Sequence, residues 1–342
     1  MNVSSEGTTS LTRVREIAVE RGAIPEEMLR ATRPFVVRGL AADWPLVRAG
    51  RESLEAAEAY LRRFYRGAPV RAMLGPPEIE GRFFYNADLS GFNYHNIQAR
   101  LTEVLDQLAI QRTRTRQGAI YVGSTSIDGA LPGLRAENPI DLGARDPLAS
   151  IWIGNRTRIA AHYDLPDNVA VAAVGARRFT LFPPEQLHNL YVGPLDFNPA
   201  GQAISLVDHA NPDLERFPRY VEALRHAEVA ELEAGDAIFI PSMWWHAVEA
   251  LAPFNVLVNY WWRQSPAWMD SPTNALMLAL LTMRELPEAQ RAAWQEIFRH
   301  YIFEPDEASL AHLPQNARYA LAPLNAQGAH VLRGQLLKRL DK

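Results

Sequence analysis

The chain reads as a mainly antiparallel β-sandwich or barrel flanked by helical segments, and three observations predict it. Between residues 118 and 262 the sequence is a succession of short Val/Ile/aromatic runs punctuated by glycine and proline, among them GAIYVG, ASIWIG, NVAVAAVG, RRFTLFP, DAIFIP and FNVLVNYWW. Runs of this length and composition are strands. No helix-length pattern separates most of them, which argues against a parallel βαβ fold. From Ser265 onward the apolar spacing becomes that of helices.

Taken in order, residues 1–10 are polar and residues 11–33 are expected to be helical, so that 1–33 form an N-terminal helical segment. PFVVRGL (34–40) is a short β-branched strand that runs into a turn at Asp43, Trp44 and Pro45. Residues 51–66 are expected to be helical, with Leu54, Ala57, Leu61 and Phe64 on one face, and so are residues 99–109, where Leu101, Leu105 and Leu108 recur at helical spacing. The strand-rich part then occupies the rest of a catalytic-type domain spanning 34–264. Two long irregular stretches, 124–148 and 183–218, interrupt it, and long loops of this kind serve as lids or binding loops. In the region 265–342, Ser271 before Pro272 starts one helix and Leu286-Pro287-Glu288 starts a second through Tyr301. A last helix near 326–340 carries Leu332, Leu336 and Leu340 on one stripe. Apolar positions from Leu276 to Tyr301 exceed what two helices bury by themselves, so a homodimer joined through this region is expected.

Composition excludes several classes. The 342 residues are 48% hydrophobic and 22% charged, an ordinary globular balance, with a formal net charge of -4 that gives no basic footprint for nucleic acid. The cluster Arg112, Arg114 and Arg116 reads as a solvated loop or helix end. There are no cysteines, so disulfides, thiolate metal sites and a cysteine nucleophile are excluded together. The first residues lack the pattern of a secretion signal, and the most apolar stretch, Ala275 to Met283, is far shorter than the about 20 residues a membrane span needs. A cytoplasmic protein without membrane or nucleic-acid partners is the expectation.

Chemistry concentrates in three residues. In the run Arg158-Ile159-Ala160-Ala161-His162-Tyr163-Asp164, His162 and Asp164 are two apart, and on a strand such residues share a face. His246 follows a tight turn at Gly235-Asp236, an apolar strand and Pro241. Two histidines and one carboxylate with open positions opposite them suit non-haem iron(II) that must bind oxygen and a cosubstrate. Each residue alone is ordinary; the set in its flanking sequence is not. Trp244, Trp245, Trp261 and Trp262 form an aromatic cluster of which alternation sends about half into packing rather than a substrate cage. His95, in GFNYHN, could border the site, but a role without metal ligation is the favoured expectation.

The pieces His162-Tyr163-Asp164, GARRFTLFPP (175–184), NPDLERFP (211–218), GDAIFIPSMWWH (235–246) and VNYWW (258–262), with PFVVRGLAADWP (34–45) before them, occur in a characteristic order. In this order the chain resembles the JmjC/cupin-like iron(II)- and 2-oxoglutarate-dependent oxygenases, especially the asparaginyl-hydroxylase type, over most of 34–262. The resemblance implies a double-stranded β-helix (jelly roll), iron(II) as metal, and 2-oxoglutarate and oxygen as cosubstrates. It places Tyr121, Asn168, Arg177 and Asn259 around the 2-oxoglutarate, and dimerisation in the C-terminal helices. Arg177 stands where the family has a lysine, exchanging a point charge for a planar fork. Ile159 stands where a similar member has a threonine hydroxyl. The activity so implied is hydroxylation of a protein side chain, an amino acid or a small metabolite. The other readings of the residues are a cupin-fold protein that only binds metal or a small acid, and a zinc or manganese isomerase or hydrolase.

Overall fold

In a computed structural model, the described residues are 11–19, 23–199 and 201–341, and the chain divides into two compact units, Met1–Arg263 and Gln264–Lys342. The strands of the first unit are, in order, β1 Thr12–Arg13, β2 Glu16–Ile17, β3 Phe35–Val37, β4 Pro69–Gly75, β5 Arg82–Phe83, β6 His95–Arg100, β7 Ala119–Ser126 and β8 Leu148–Gly154. They continue with β9 Arg158–Tyr163, β10 Asp167–Val174, β11 Arg177–Phe182, β12 Glu228–Leu232, β13 Ala237–Ile240, β14 Trp245–Ala250 and β15 Asn255–Trp262. They form a six-stranded sheet, β1-β12-β11-β14-β9-β5, and a nine-stranded sheet, β2-β3-β13-β10-β15-β8-β7-β4-β6. From β8 to β15 the chain contributes β8, β10, β13 and β15 to the larger sheet and β9, β11, β12 and β14 to the smaller one. This is a jelly roll, two facing sheets closing on a common interior.

One strand shows how sequence shapes that interior. All of β10 is buried, but its two faces differ. Val169, Val171 and Ala173 pack outward in the large core beneath the helices, while Ala170 and Ala172 face the space between the sheets. Alternation therefore puts the larger side chains where helices must be held and the small ones where room must be left.

Helices α1 Pro45–Glu52, α2 Leu54–Phe64 and α3 Leu101–Arg112 supply the cover for that outer face. The expected helix at 51–66 is two helices that part at Ser53, whose hydroxyl caps α2 by accepting a hydrogen bond from Ala56 N at 3.0 Å. Ala57, Leu61 and Phe64 of α2 and Leu101, Leu105 and Leu108 of α3 are buried in the same core. Each such leucine or phenylalanine contributes about 1.5–3 kcal/mol by leaving water.

The N-terminal expectation is corrected. Within 11–33 the described residues hold β1, β2 and a single 3-10 turn, Met28–Arg30, and no α-helix; residues 1–10 and 20–22 lie outside the described ones. The cause is tertiary. β1 pairs in parallel with β12 at the rim of the smaller sheet, and β2 pairs in parallel with β3 at the rim of the larger. Open sheet edges offer unpaired N–H and C=O groups, and satisfying them outweighs a weak helical periodicity.

The two long irregular stretches also gain structure. The first contains the short helices α4 Ile127–Ala130 and α5 Leu134–Glu137. The second is pinched by an antiparallel bridge between Val192 and Ser205, with Gly193 N donating to Ile204 O at 2.9 Å, and is followed by α6 Tyr220–Arg225.

The second unit holds α7 Pro272–Thr282, α8 Glu288–Phe298 and α9 Ala326–Leu340. Ser271 caps α7 by accepting from Thr273 N, and Asn325 caps α9 by accepting from Gly328 N. No described side chain in this unit is buried. Among the described residues, no helix is long and apolar enough to cross a membrane.

Candidate metal and oxoacid site

The three chemistry-bearing residues meet. His162 is the penultimate residue of β9, Asp164 follows at its exit, and His246 on β14 is the direct cross-strand partner of His162. The two imidazole rings are 4.4 Å apart, and one ligand atom from each of the three residues lies within 4.8 Å of the others. Each ring is oriented from behind. His162 Nδ1 lies 2.9 Å from Ala160 O and His246 Nδ1 lies 3.1 Å from Trp244 O. A carbonyl oxygen only accepts, so both Nδ1 atoms carry hydrogen and both Nε2 lone pairs are left for a metal. Burial, reinforced by the charge of His162 and opposed by Asp164, pulls the His246 pKa down to about 4. The imidazole is therefore neutral near pH 7, the form that ligates.

Asp164 is held at both ends. Trp261 Nε1 donates to its Oδ2 at 3.1 Å, and its backbone oxygen accepts from Met243 N at 2.9 Å. The neighbouring Ser242 ties the same two turns together. Its Oγ donates to Leu165 O at 2.6 Å and its backbone N donates to Asp167 Oδ1 at 2.9 Å. Met243 takes a φ of 69°, a left-handed conformation that costs a side-chain-bearing residue energy and is retained where surroundings fix it. The turn before His246 is thus clamped onto the turn after His162.

These ligands open into a cavity of about 650 Å³, and all seven residues singled out from the sequence line it. Arg177, the first residue of β11, is 1% exposed, and burial pulls its pKa down. Its Nε finds no hydrogen-bond partner, and among the described residues no carboxylate lies within ion-pair distance of it. A buried cation without a counter-charge is costly, several kcal/mol, unless a ligand supplies one. Tyr121 stands beside it, its hydroxyl pKa pushed up by burial against the opposing charge of Arg177, so it remains a hydrogen-bond donor. Asn168 Oδ1 is also buried and unpartnered, whereas Asn259 Oδ1 accepts from Trp152 Nε1 at 2.7 Å. The residues present fit a divalent metal and an anionic oxoacid: open neutral imidazoles and a carboxylate on one side, an orphaned guanidinium and a phenol on the other.

Several parts of the site carry little signal in sequence. Trp152 and Phe83 both stack on Tyr121, with ring centroids at 5.8 and 5.9 Å, and their packing fixes the phenol. Described residues between Leu195 and Ile204 form a wall of the cavity, which the sequence foreshadows only as a loop. Ile159 lines the cavity as an apolar surface. Of the tryptophan cluster, Trp244, Trp245 and Trp262 are buried in packing and Trp261 alone faces the cavity, so no cage forms. Arg178 turns away and pairs with Glu231 and Glu249. His95 is exposed on β6 and does not border the cavity.

Comparisons with known proteins agree with this geometry. A model described as a cupin-like domain matches residues 22–267. The chain is 34% identical over 145 residues to the tRNA wybutosine-synthesizing protein 5 of Gallus gallus, which is 38% of this chain and 42% of that protein. It is 31% identical over 155 residues to the human HSPB1-associated protein 1, covering 44% of this chain and 31% of that protein. It is 33% identical over 143 residues to the lysine-specific demethylase JMJ31 of Arabidopsis thaliana, covering 40% of this chain and 25% of that protein. The matched part thus spans less than half the length of each of these relatives. With the model covering well over half of the sequence and the jelly roll in place, the chain belongs to the cupin-like family of JmjC-type domains.

Proposed function

We propose that this chain is an iron(II)- and 2-oxoglutarate-dependent oxygenase acting as a hydroxylase. The observation that carries the reading is the pairing, in one cavity, of an open His162/Asp164/His246 face with a buried guanidinium that has no counter-charge. His162, Asp164 and His246 would hold iron(II). Arg177 would take the distal carboxylate of 2-oxoglutarate through its planar fork, with Tyr121 donating a further hydrogen bond. Asn168, whose Oδ1 is unpartnered, and Asn259 would border the same acid. When bound, iron with 2-oxoglutarate and oxygen supplies an oxidative decarboxylation that yields succinate and carbon dioxide and leaves one oxygen atom for a substrate C–H bond.

The chain's own contribution is placement and exclusion of water. Trp152 and Phe83 hold the Tyr121 ring, Trp261 steadies one oxygen of Asp164, and Ile159 lines the wall without offering a competing polar group. A five-carbon acid fills only part of about 650 Å³, which leaves room for a second molecule or a side chain beside the metal position. The substrate class spans a protein side chain, an amino acid and a small metabolite. The test is calorimetric titration of 2-oxoglutarate into the cobalt(II)-loaded chain. One equivalent binding only when the metal is present is expected; a loaded chain indifferent to 2-oxoglutarate would refute the reading. A chain that binds metal and acid but never turns the acid over would be a cupin-fold binding protein.

We also propose that the chain is a homodimer joined through its second unit. Leu281 is 76% exposed, Phe303 74% and Leu337 63%, and α7 and α8 line an apolar groove between Leu276, Leu280, Trp294 and Phe298. Apolar surface of this extent marks an interface, and a second copy presents the same helices in return. Light scattering should give twice the monomer mass at micromolar concentration. A monomer mass would end the proposal.

A further inference from the structure

Two tryptophans join the two halves of the site. Asp164 lies just beyond the end of β9, so the pleat that aims His162 and His246 does not aim its carboxylate. Among the described residues one side chain donates to that carboxylate, Trp261, through Nε1 to Oδ2 at 3.1 Å. The same Oδ2 lies 3.7 Å from His246 Nε2, so the bond falls on the oxygen that faces His246. Trp261 meets Trp152 with ring centroids 5.8 Å apart and planes at 89°, an edge-to-face contact. Trp152 in turn stacks on Tyr121 at 5.8 Å with planes at 27°, and its own Nε1 is anchored on Asn259 Oδ1 at 2.7 Å.

The larger sheet is shaped to seat these rings. Between the pairs Val122–Ile153 and Thr125–Ile151, two residues of β7, Gly123 and Ser124, stand opposite Trp152 alone, which is a β-bulge. A Cβ at Gly123 would come within 3.2 Å of the Trp152 ring. One at Gly154, the cross-strand partner of Tyr121, would come within 3.3 Å of the Tyr121 ring. Ser124 takes a φ of 40°, a left-handed conformation that costs a side-chain-bearing residue energy. A bulge, two glycines and a strained serine thus accompany one aromatic stack. Phe83 supplies the contrast, for it also stacks on Tyr121, at 5.9 Å, but among the described residues no ring contact joins it to Trp152 or Trp261.

From this chain of contacts we infer that Trp261 is a positioning residue for Asp164, and that Trp152 couples it to Tyr121, so that the acid pocket and the ligand triad fix each other's geometry. The inference rests on the proposed oxygenase reading for what the coupling serves: an acid seated against Tyr121 steadies the carboxylate that holds the metal. Linkage makes the effect reciprocal, the metal favouring the acid as much as the acid favours the metal.

The test perturbs each ring and reads the far end, because contact alone is not coupling. In the metal-free full chain, the indole N–H resonances of Trp261 and Trp152 are assigned by their loss in Trp261→Phe and Trp152→Phe. Both should shift in Asp164→Ala, and the unmoved signals of the other indoles show that each variant is folded. In the cobalt(II)-loaded chain without 2-oxoglutarate, Trp261→Phe keeps a ring and removes the donor. It should weaken metal binding about tenfold and shift the visible absorption bands of the ion. Trp152→Phe, one contact further from Asp164, should weaken it about threefold, and the double variant should lose less than the product of the two. Phe83→Leu should lower 2-oxoglutarate affinity and leave cobalt(II) affinity as it is. Wild-type cobalt(II) affinity in either tryptophan variant, losses that multiply, an equal loss in Phe83→Leu, or indole resonances indifferent to Asp164 would overturn the inference. Failure of the oxygenase reading is visible separately, as a loaded chain that binds no 2-oxoglutarate. The resonances of the metal-free chain decide the inference in that case too.

Discussion

The floor and the mouth of the cavity are built on different terms. On the floor, His162, Asp164, His246 and Arg177 sit on paired strands of the smaller sheet or at their exits, and each is fixed by burial, backbone hydrogen bonds or a neighbouring ring. At the mouth, Arg71 and Asp196 are exposed, and the loop that carries Asp196 is closed at its base by the bridge between Val192 and Ser205. The loop is fastened by its aromatic: Phe197 stacks on Phe92 at 5.0 Å, and its backbone oxygen accepts from Tyr85 OH at 2.6 Å. A rigid floor preorganises a reaction, and an adjustable mouth lets the same fold admit different substrates. Changes to the floor should therefore act on metal and cosubstrate, and changes to the mouth on substrate alone.

The sharpest way to break that division is Arg177→Ala. Removing one partner of a desolvated charge pair costs about 3–5 kcal/mol, so 2-oxoglutarate affinity should fall by about two to four orders of magnitude. Metal affinity measured without 2-oxoglutarate should be unchanged. Arg177→Lys should recover part of the loss, because the charge returns without the bidentate fork. Calorimetry on cobalt(II)-loaded protein reads both, and equal affinity in Arg177→Ala and wild type would put the anchor elsewhere.

The floor is also supported from behind, which gives it a pH dependence. Ala161 N–H donates to His209 Nε2 at 3.3 Å, so Nδ1 carries the hydrogen that meets the Tyr220 hydroxyl at 2.7 Å. Burial, with Arg82 nearby, pulls the His209 pKa from 6.5 down to about 4. A depressed folded pKa means that the unfolded chain takes up a proton that the folded chain refuses. The stability is whole above pH 6.5 and is lost as pH falls toward 4, by about 3 kcal/mol for this group. His209→Gln should flatten that part of the stability curve in urea unfolding at stepped pH. An unchanged slope between pH 6.5 and 4 would show that His209 does not set it.

A smaller effect tests the clamp between the two ligand-bearing turns. Ser242→Ala removes the 2.6 Å bond to Leu165 O while leaving every ligand in place. Groups that orient ligands from outside typically cost 10–100-fold in metal affinity when removed, and this one, acting through backbone, should lie near tenfold. Cobalt(II) affinity equal to wild type would mean that the strands alone hold the spacing.

The same contrast explains what could be read from the sequence. The floor was legible because its residues stand at fixed spacings on strands, His162 and Asp164 two apart and His246 just beyond a proline-marked exit. The resemblance to a known family then pointed to Tyr121, Asn168, Arg177 and Asn259, all of which line the cavity. Arg71 and Trp152 were not legible as site residues, because they come to one cavity only when β4, β7 and β8 pair. Trp152 reads as one more aromatic in a strand until its stacking on Tyr121 is seen. Residues 11–33 misled in the opposite sense, since their weak helical spacing gave no sign of the sheet edges waiting for Thr12 and Glu16.

The central claim is that this cavity consumes 2-oxoglutarate at a metal held by His162, Asp164 and His246. Its most direct test is succinate release from 2-oxoglutarate in air with iron(II), comparing the wild type with Asp164→Ala, first alone and then with a cell extract. Iron-dependent succinate is expected from the wild type, increased by extract, and none from Asp164→Ala although the variant remains folded. Succinate formed equally by both proteins, or by neither when metal and 2-oxoglutarate are shown to be bound to the wild type, would contradict it.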